Sequence, residues 1–184
     1  MIGKLYGFVS RFAGWWTLVP FGALSVAFIL LTGVVDSPIN HSRLMAMSGG
    51  VDLLDQRWYY TADEAFRALE AYGEKGRRFY QFFLLGDFLF LIAYSVALCS
   101  VLALILRKAL PPESAMNRLI LLPFLAGGLD YLENFSLLAM LNRYPAHAEI
   151  ASMTAGIFTL GKWLAASATL LTLAWGLALA VRKR

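Results

Sequence analysis

Residues 119–141 read LILLPFLAGGLDYLENFSLLAML, an apolar run that nonetheless carries Asp130, Glu133 and Asn134. A bilayer core takes about 20 apolar residues in a helix, so the run is long enough to cross one. Ionisable groups at that depth are costly unless they meet a partner or water, and they point by default to a functional site. Asp130, Glu133 and Asn134 stand at i, i+3 and i+4 and therefore share one face of a helix.

Three more apolar runs flank this one. They cover roughly residues 14–35, 80–106 and 152–181, and with 119–141 they predict four membrane spans. The composition agrees: 59% hydrophobic against 15% charged residues is too apolar for an ordinary soluble domain. The first run follows Lys4 and Arg11 but is long, and no small-x-small cleavage site stands out after it. An uncleaved span is expected there rather than a signal peptide. With no repeat and no second composition block, residues 1–184 read as a single integral membrane domain. The expected fold is an all-α, four-transmembrane-helix bundle.

Four crossings put Lys4, Arg11, Arg107, Lys108, Arg118, Arg182, Lys183 and Arg184 on one side, with Glu113 as that side's lone acid. The positive-inside rule then places both termini in the cytoplasm and the chain in a plasma membrane, the inner membrane of a bacterium. Arg77 and Arg78 oppose this locally. The formal charge of +4 is thus a matter of topology, and a nucleic-acid partner is not expected. A lone cysteine, Cys99, excludes an intrachain disulfide.

The outer loop, residues 36–79, has structure of its own. Thr61 and Glu64 form a capping box that predicts a helix start, and Phe66, Leu69 and Tyr72 follow at helical spacing. Gly73 and Gly76 are the expected stops. Before them, Val51, Leu53, Leu54, Trp58, Tyr59 and Tyr60 make an apolar, aromatic stretch suited to the membrane interface. This amphipathic helical loop between spans one and two is expected either to anchor or to cap the bundle. Trp15-Trp16 and Trp58-Tyr59-Tyr60 read as interfacial anchors.

The other spans add polar groups to match those of the third. Tyr80, Asp87 and Tyr94 recur at one spacing along the second span and share a face. Lys162 in the fourth lies on the side of Ala155, Ala166 and Thr169. Helical rise puts Asp87 about 10 Å, and Glu133 and Lys162 about 13 Å, below the outer ends of their helices, with Asp130 one turn deeper. Gly127 and Gly128 permit close packing. Three carboxylates against one ammonium call for protonation, a cation, a cationic ligand or water. The expected pair is Lys162 with Glu133, leaving Asp130 or Asp87 protonated or facing a ligand. A purely structural polar network is the plain alternative.

Other chemistries find no support in these residues. His41 and His147 are single loop histidines, so no zinc site is expected. No phosphate loop, nucleophile elbow or cofactor motif occurs. The sequon Asn134-Phe135-Ser136 is discounted because it lies within a span.

The segment from Tyr72 to Tyr80, then Asp87 and Tyr94, Asp130-Tyr-Leu-Glu-Asn134 and Gly161-Lys162-Trp163 resembles a recurrent pattern in small bacterial four-span proteins. More distantly, the layout is similar to the EXPERA family of sterol isomerases and the sigma-2 receptor. There Asp36 would correspond to an acid at the end of the first span, and Asp87 to one near the outer end of the second. The likeness covers about the first half of the chain; Asp130, Glu133 and Lys162 have no counterpart in it. What it implies is a cavity for an apolar molecule, amine-bearing ones included, that opens toward lipid.

The candidate ligand-binding residues are therefore Asp36, Tyr80, Asp87, Tyr94, Asp130, Glu133, Asn134 and Lys162. The expected partner is a membrane lipid or small hydrophobic ligand that the protein binds or modifies. Neither a catalytic residue nor a cofactor is singled out. A proton- or cation-coupled transporter, built as a homo-oligomer because four helices leave little room for alternating access, and an accessory subunit are the alternatives.

Overall fold

The computed structural model describes residues 2–146 and 148–183, with Glu149 by its backbone alone. His147 and Arg184 lie outside the described residues. Among the described residues six α-helices run in order: α1 (Ile2–Phe12), α2 (Trp15–Ile29), α3 (His41–Met47), α4 (Ala62–Ala109), α5 (Leu122–Arg143) and α6 (Glu149–Arg182). The same residues contain no strand.

Three stretches are long and apolar enough to cross a membrane: Trp15–Val34, Ala62–Ala109 and Ile150–Arg182. The chain is a membrane protein by this measure. The 22-residue α5 is not among them, because Asp130, Glu133 and Asn134 dilute its apolar character. It packs nonetheless against both α4 and α6, which also touch each other, and α2 packs on α4. The long α4 is thus the central helix.

Each junction has a local cause. Gly14 is fully extended and breaks the chain between α1 and α2. Thr17 stitches the break, its Oγ1 donating to the Phe12 and Gly14 carbonyls at 2.9 and 3.0 Å. After Ile29 the helix widens into a π turn, Leu30–Val34. Pro111 and Pro112 stop the chain after α4, and their carbonyls accept from Asn117 Nδ2 at 2.9 and 3.1 Å.

The Thr61–Glu64 capping box is present: Glu64 Oε2 accepts the Thr61 amide at 2.7 Å and Thr61 Oγ1 accepts the Glu64 amide at 3.3 Å. These bonds, the backbone one foremost, hold the Glu64 carboxyl below its ordinary range. The helix does not stop at Gly73 and Gly76, however. Gly73 takes a φ of 61°, which glycine allows at little cost, and the helix resumes at once toward Asp87. Arg77 repairs the ladder at this kink by donating to the Leu69 carbonyl at 2.9 Å, and its guanidinium lies 3.9 Å from the Tyr144 ring centre. That local work explains a basic residue against the charge bias of its loop. Gly76 serves close packing instead of a stop: a Cβ there would stand 3.0 Å from Leu44.

The segment before α4 folds inward. Leu53, Leu54 and Tyr60 are buried with Leu44, Leu69, Tyr72 and Leu137 in one cluster. Its backbone seats on α6, where a Cβ at Gly156 would collide with the Tyr60 carbonyl oxygen. Trp163 Nε1 donates to the Arg57 carbonyl at 2.8 Å, and the Trp58 and Trp163 rings lie 5.2 Å apart. Residues 51–60 therefore roof the helices at one end. Trp58 and Tyr59 stay exposed while Tyr60 is buried, so the aromatic triplet divides between surface and core.

Candidate functional site

Under that roof, side chains of α4, α5 and α6 meet. Lys162 Nζ lies 2.7 Å from Glu133 Oε2 and 2.9 Å from Asp130 Oδ1. The expected Lys162–Glu133 pair is thus half of a triad, with one ammonium bridging two carboxylates. The i, i+3 spacing on α5 aims both acids at the same turn of α6.

Glu133 is fully buried and its second oxygen is enclosed by donors. Oε1 accepts from Thr159 at 2.5 Å and from Tyr60 Oη at 3.3 Å. Burial, with the Glu133 carboxylate next, pushes the Tyr60 phenol well above its ordinary value, so it stays a donor. The loop is in this way bolted to the membrane helices through a charge-assisted hydrogen bond. Asp130 Oδ2 accepts from Tyr94 at 3.2 Å.

Asp87 sits apart from the ammonium. Its Oδ2 accepts from Asn134 Nδ2 at 2.8 Å. Among the described residues it makes no ion pair. The structure brings together Asp87, Tyr94, Asp130, Glu133, Asn134 and Lys162. Tyr80 joins indirectly, donating to Asp55 Oδ1 at 2.6 Å and accepting the Asp55 amide at 3.2 Å. Asp36 does not join: its exposed carboxylate pairs with Arg43 at 2.8 Å on the surface. Asp36 follows the π turn beyond α2, and its partner Arg43 lies on the next helix, α3.

The residue missed from sequence is Asp55. It is a buried residue of the roof and lines the same cavity as Asp87, Asp130 and Lys162. The sequence does not single it out, because Asp52, Gln56 and Arg57 break the same stretch from Val51 to Tyr60.

This cavity holds about 490 Å³. Its walls are Gly22, Ser25, Val26 and Ile29 of α2, Phe90, Ala97 and Leu98 of α4, and Trp163, Ala166 and Leu170 of α6. Carboxylates cluster at the roofed end and the rest is apolar, an arrangement suited to a small molecule with one polar end. Helices α2 and α6 both line the cavity but, among the described residues, make no extended contact with each other, so it opens between them. Among the described residues no group of three His, Cys, Asp or Glu is placed to hold a metal. No family model, curated protein or solved structure matches this chain.

Proposed function

We propose that this chain is a four-span membrane protein that binds a small apolar or lipid-like ligand in the cavity between α2, α4 and α6. The observation that carries the reading is the cavity itself, apolar along its length and acidic at its roofed end. The opening between α2 and α6 faces where lipid would lie, so a ligand dissolved in the bilayer could enter sideways. Four carboxyls, Asp55, Asp87, Asp130 and Glu133, stand against the single ammonium of Lys162. A low-dielectric site favours a ligand that offsets that excess, so the polar end of the ligand carries a cation or hydrogen-bond donors. The layout similar to that of the EXPERA family agrees with this class of ligand.

The span added to the three apolar stretches is α5, third in chain order and about 33 Å long. Its polar residues turn inward while Leu125, Leu132 and Phe135 are exposed as a lipid-facing surface would be. The short connections on either side favour up-and-down packing. With lysine and arginine as guide, both termini lie in the cytoplasm of a bacterial cell and the roof lies on the outer side.

A structural role belongs to part of the same network. Glu133, Thr159 and Tyr60 are enclosed and bonded to one another, whereas Asp55, Asp87, Asp130 and Lys162 line the cavity. Native mass spectrometry from mild detergent tests the division. The intact protein is expected to retain a defined small molecule, and Asp87→Asn is expected to lose it while keeping its fold. An amide at position 87 can still accept from Asn134. A bare chain in several detergents and lipids, or an adduct indifferent to Asp87→Asn, overturns the reading.

A further inference from the structure

The N-terminal helix has a second face that the bundle does not use. Tyr6 and Val9 of α1 pack against the cluster of Cys99, Leu102, Leu106 and Ile120, and Arg107 donates to the Ser10 carbonyl. α1 also packs on the 3₁₀ turn Ala115–Leu121 that joins α4 to α5. It therefore lies at the end of the bundle opposite the roof. Beside that contact on the helix, Ile2, Leu5, Phe8 and Phe12 are all more than half exposed, at 60%, 52%, 64% and 61%. These positions fall on one stripe at helical spacing. Lys4 and Arg11, also exposed, share a face two turns apart and border that stripe on the side away from the bundle.

An exposed stripe of four large apolar side chains is costly in water. The neighbouring chain points to what covers it. Gly14 breaks the chain just before Trp15, where the apolar stretch that can cross a membrane begins. Trp15 and Trp16, exposed at that junction, suit the interfacial level. A bilayer that surrounds α2 thus ends beside α1. An apolar stripe edged by cations is the pattern of a helix lying in an interface of negative charge.

We propose that α1 lies in the inner-leaflet interface, its Ile2–Leu5–Phe8–Phe12 stripe among the acyl chains and its Lys4–Arg11 row on anionic lipid headgroups. Arg107, Lys108 and Arg118, exposed at the same end, widen the basic rim. The inference rests on the membrane reading but not on the ligand cavity.

Nitroxide labels test it in the full chain, in a Cys99→Ala background, in vesicles of phosphatidylglycerol and phosphatidylcholine. Labels at Leu5→Cys and Phe8→Cys are expected to collide with oxygen and escape an aqueous nickel chelate, as does one at Leu24→Cys on α2. Labels at Gly3→Cys and Gly7→Cys are expected to show the reverse. The preference for spin-labelled phosphatidylglycerol over phosphatidylcholine should fall by about fivefold for each charge removed in Lys4→Gln and Arg11→Gln, and persist in Lys4→Arg. Chelate access at positions 5 and 8, protection from both reagents by a second copy, or an unchanged lipid preference overturns the proposal. A label at position 24 open to the chelate would sink the membrane reading and this inference with it.

Discussion

Replacing Lys162 by methionine should harm the protein more than neutralising Glu133. The ammonium is 2.7 Å from Glu133 and 2.9 Å from Asp130, and its side chain is 10% exposed. Removing it leaves two neighbouring carboxylates, one of them with no exposure at all, and no cation to balance either. Breaking a buried pair in this way costs about 3–5 kcal/mol. Glu133→Gln is milder. Lys162 keeps Asp130, and the new amide oxygen at position 133 can still accept from Thr159 and Tyr60. What is lost is one hydrogen bond to a charged group, about 1.5–3 kcal/mol. The double variant Glu133→Gln, Lys162→Met removes charge in balance and leaves Asp130 at the cavity edge, so its cost should fall well short of the sum. Reversible unfolding in mixed micelles, followed by tryptophan fluorescence, gives all three values. If Lys162→Met proves no costlier than Glu133→Gln, or if the two costs simply add, the ammonium does not bridge the acids and the triad is wrong.

Two further outcomes probe the roof. Gly156→Ala should push residues 51–60 off α6, since the new Cβ would collide with the Tyr60 carbonyl; the expected cost is about 1–3 kcal/mol, with altered Trp58 and Trp163 emission from rings now 5.2 Å apart. Unchanged emission and stability would show that the roof does not seat there. The capping box gives a pH dependence at the start of α4. Glu64 has a lowered carboxyl pKa, so its stabilisation is present above the unfolded value of about 4.3 and is lost as pH falls through the folded value. Amide protection over residues 62–65, taken against the intrinsic exchange rate at each pH, should fall in acid, and Glu64→Gln should flatten that response.

How much of this was legible in the chain depends on the range of the interactions. Helix faces are local, so Asp130, Glu133 and Asn134 could be put on one side of α5 from spacing alone, and Asp87, Tyr94 and Lys162 on matching faces of their helices. The capping box at Thr61 is likewise a matter of neighbouring residues. The continuation of α4 past Gly73 was not legible. A glycine at positive φ ends a helix or kinks it according to what repairs the freed carbonyls, and here Arg77 does so. The role of Asp55 depends on a loop folding back across α6, a contact that Gly156 and Trp163 make but that no periodicity announces. Asp36 shows the opposite error: an acid near a span reads as buried until a local partner, Arg43, holds it outside.

The charge balance decides what the cavity can be. Lys162 can neutralise one of the two acids it touches, and Tyr94, Tyr60 and Thr159 supply hydrogen bonds rather than charge. Asp87 receives an amide from Asn134 and Asp55 a phenol from Tyr80, neither of which removes a charge. Both acids line the cavity, one from a membrane helix and one from the roof. A structural network alone would place such groups where the protein satisfies them, as it does at Glu133. Leaving two carboxyls at the acidic end of an apolar cavity is costly unless protons or a ligand complete them. Tyr80→Phe separates these cases: it frees Asp55 from its phenol, which costs about 1–3 kcal/mol if the acid is only structural. If the acid serves the ligand, the bound molecule should instead change its retention in native mass spectra at little loss of stability. A large loss of stability with retention unchanged would assign Asp55 to the roof and leave Asp87 alone as the ligand's carboxyl.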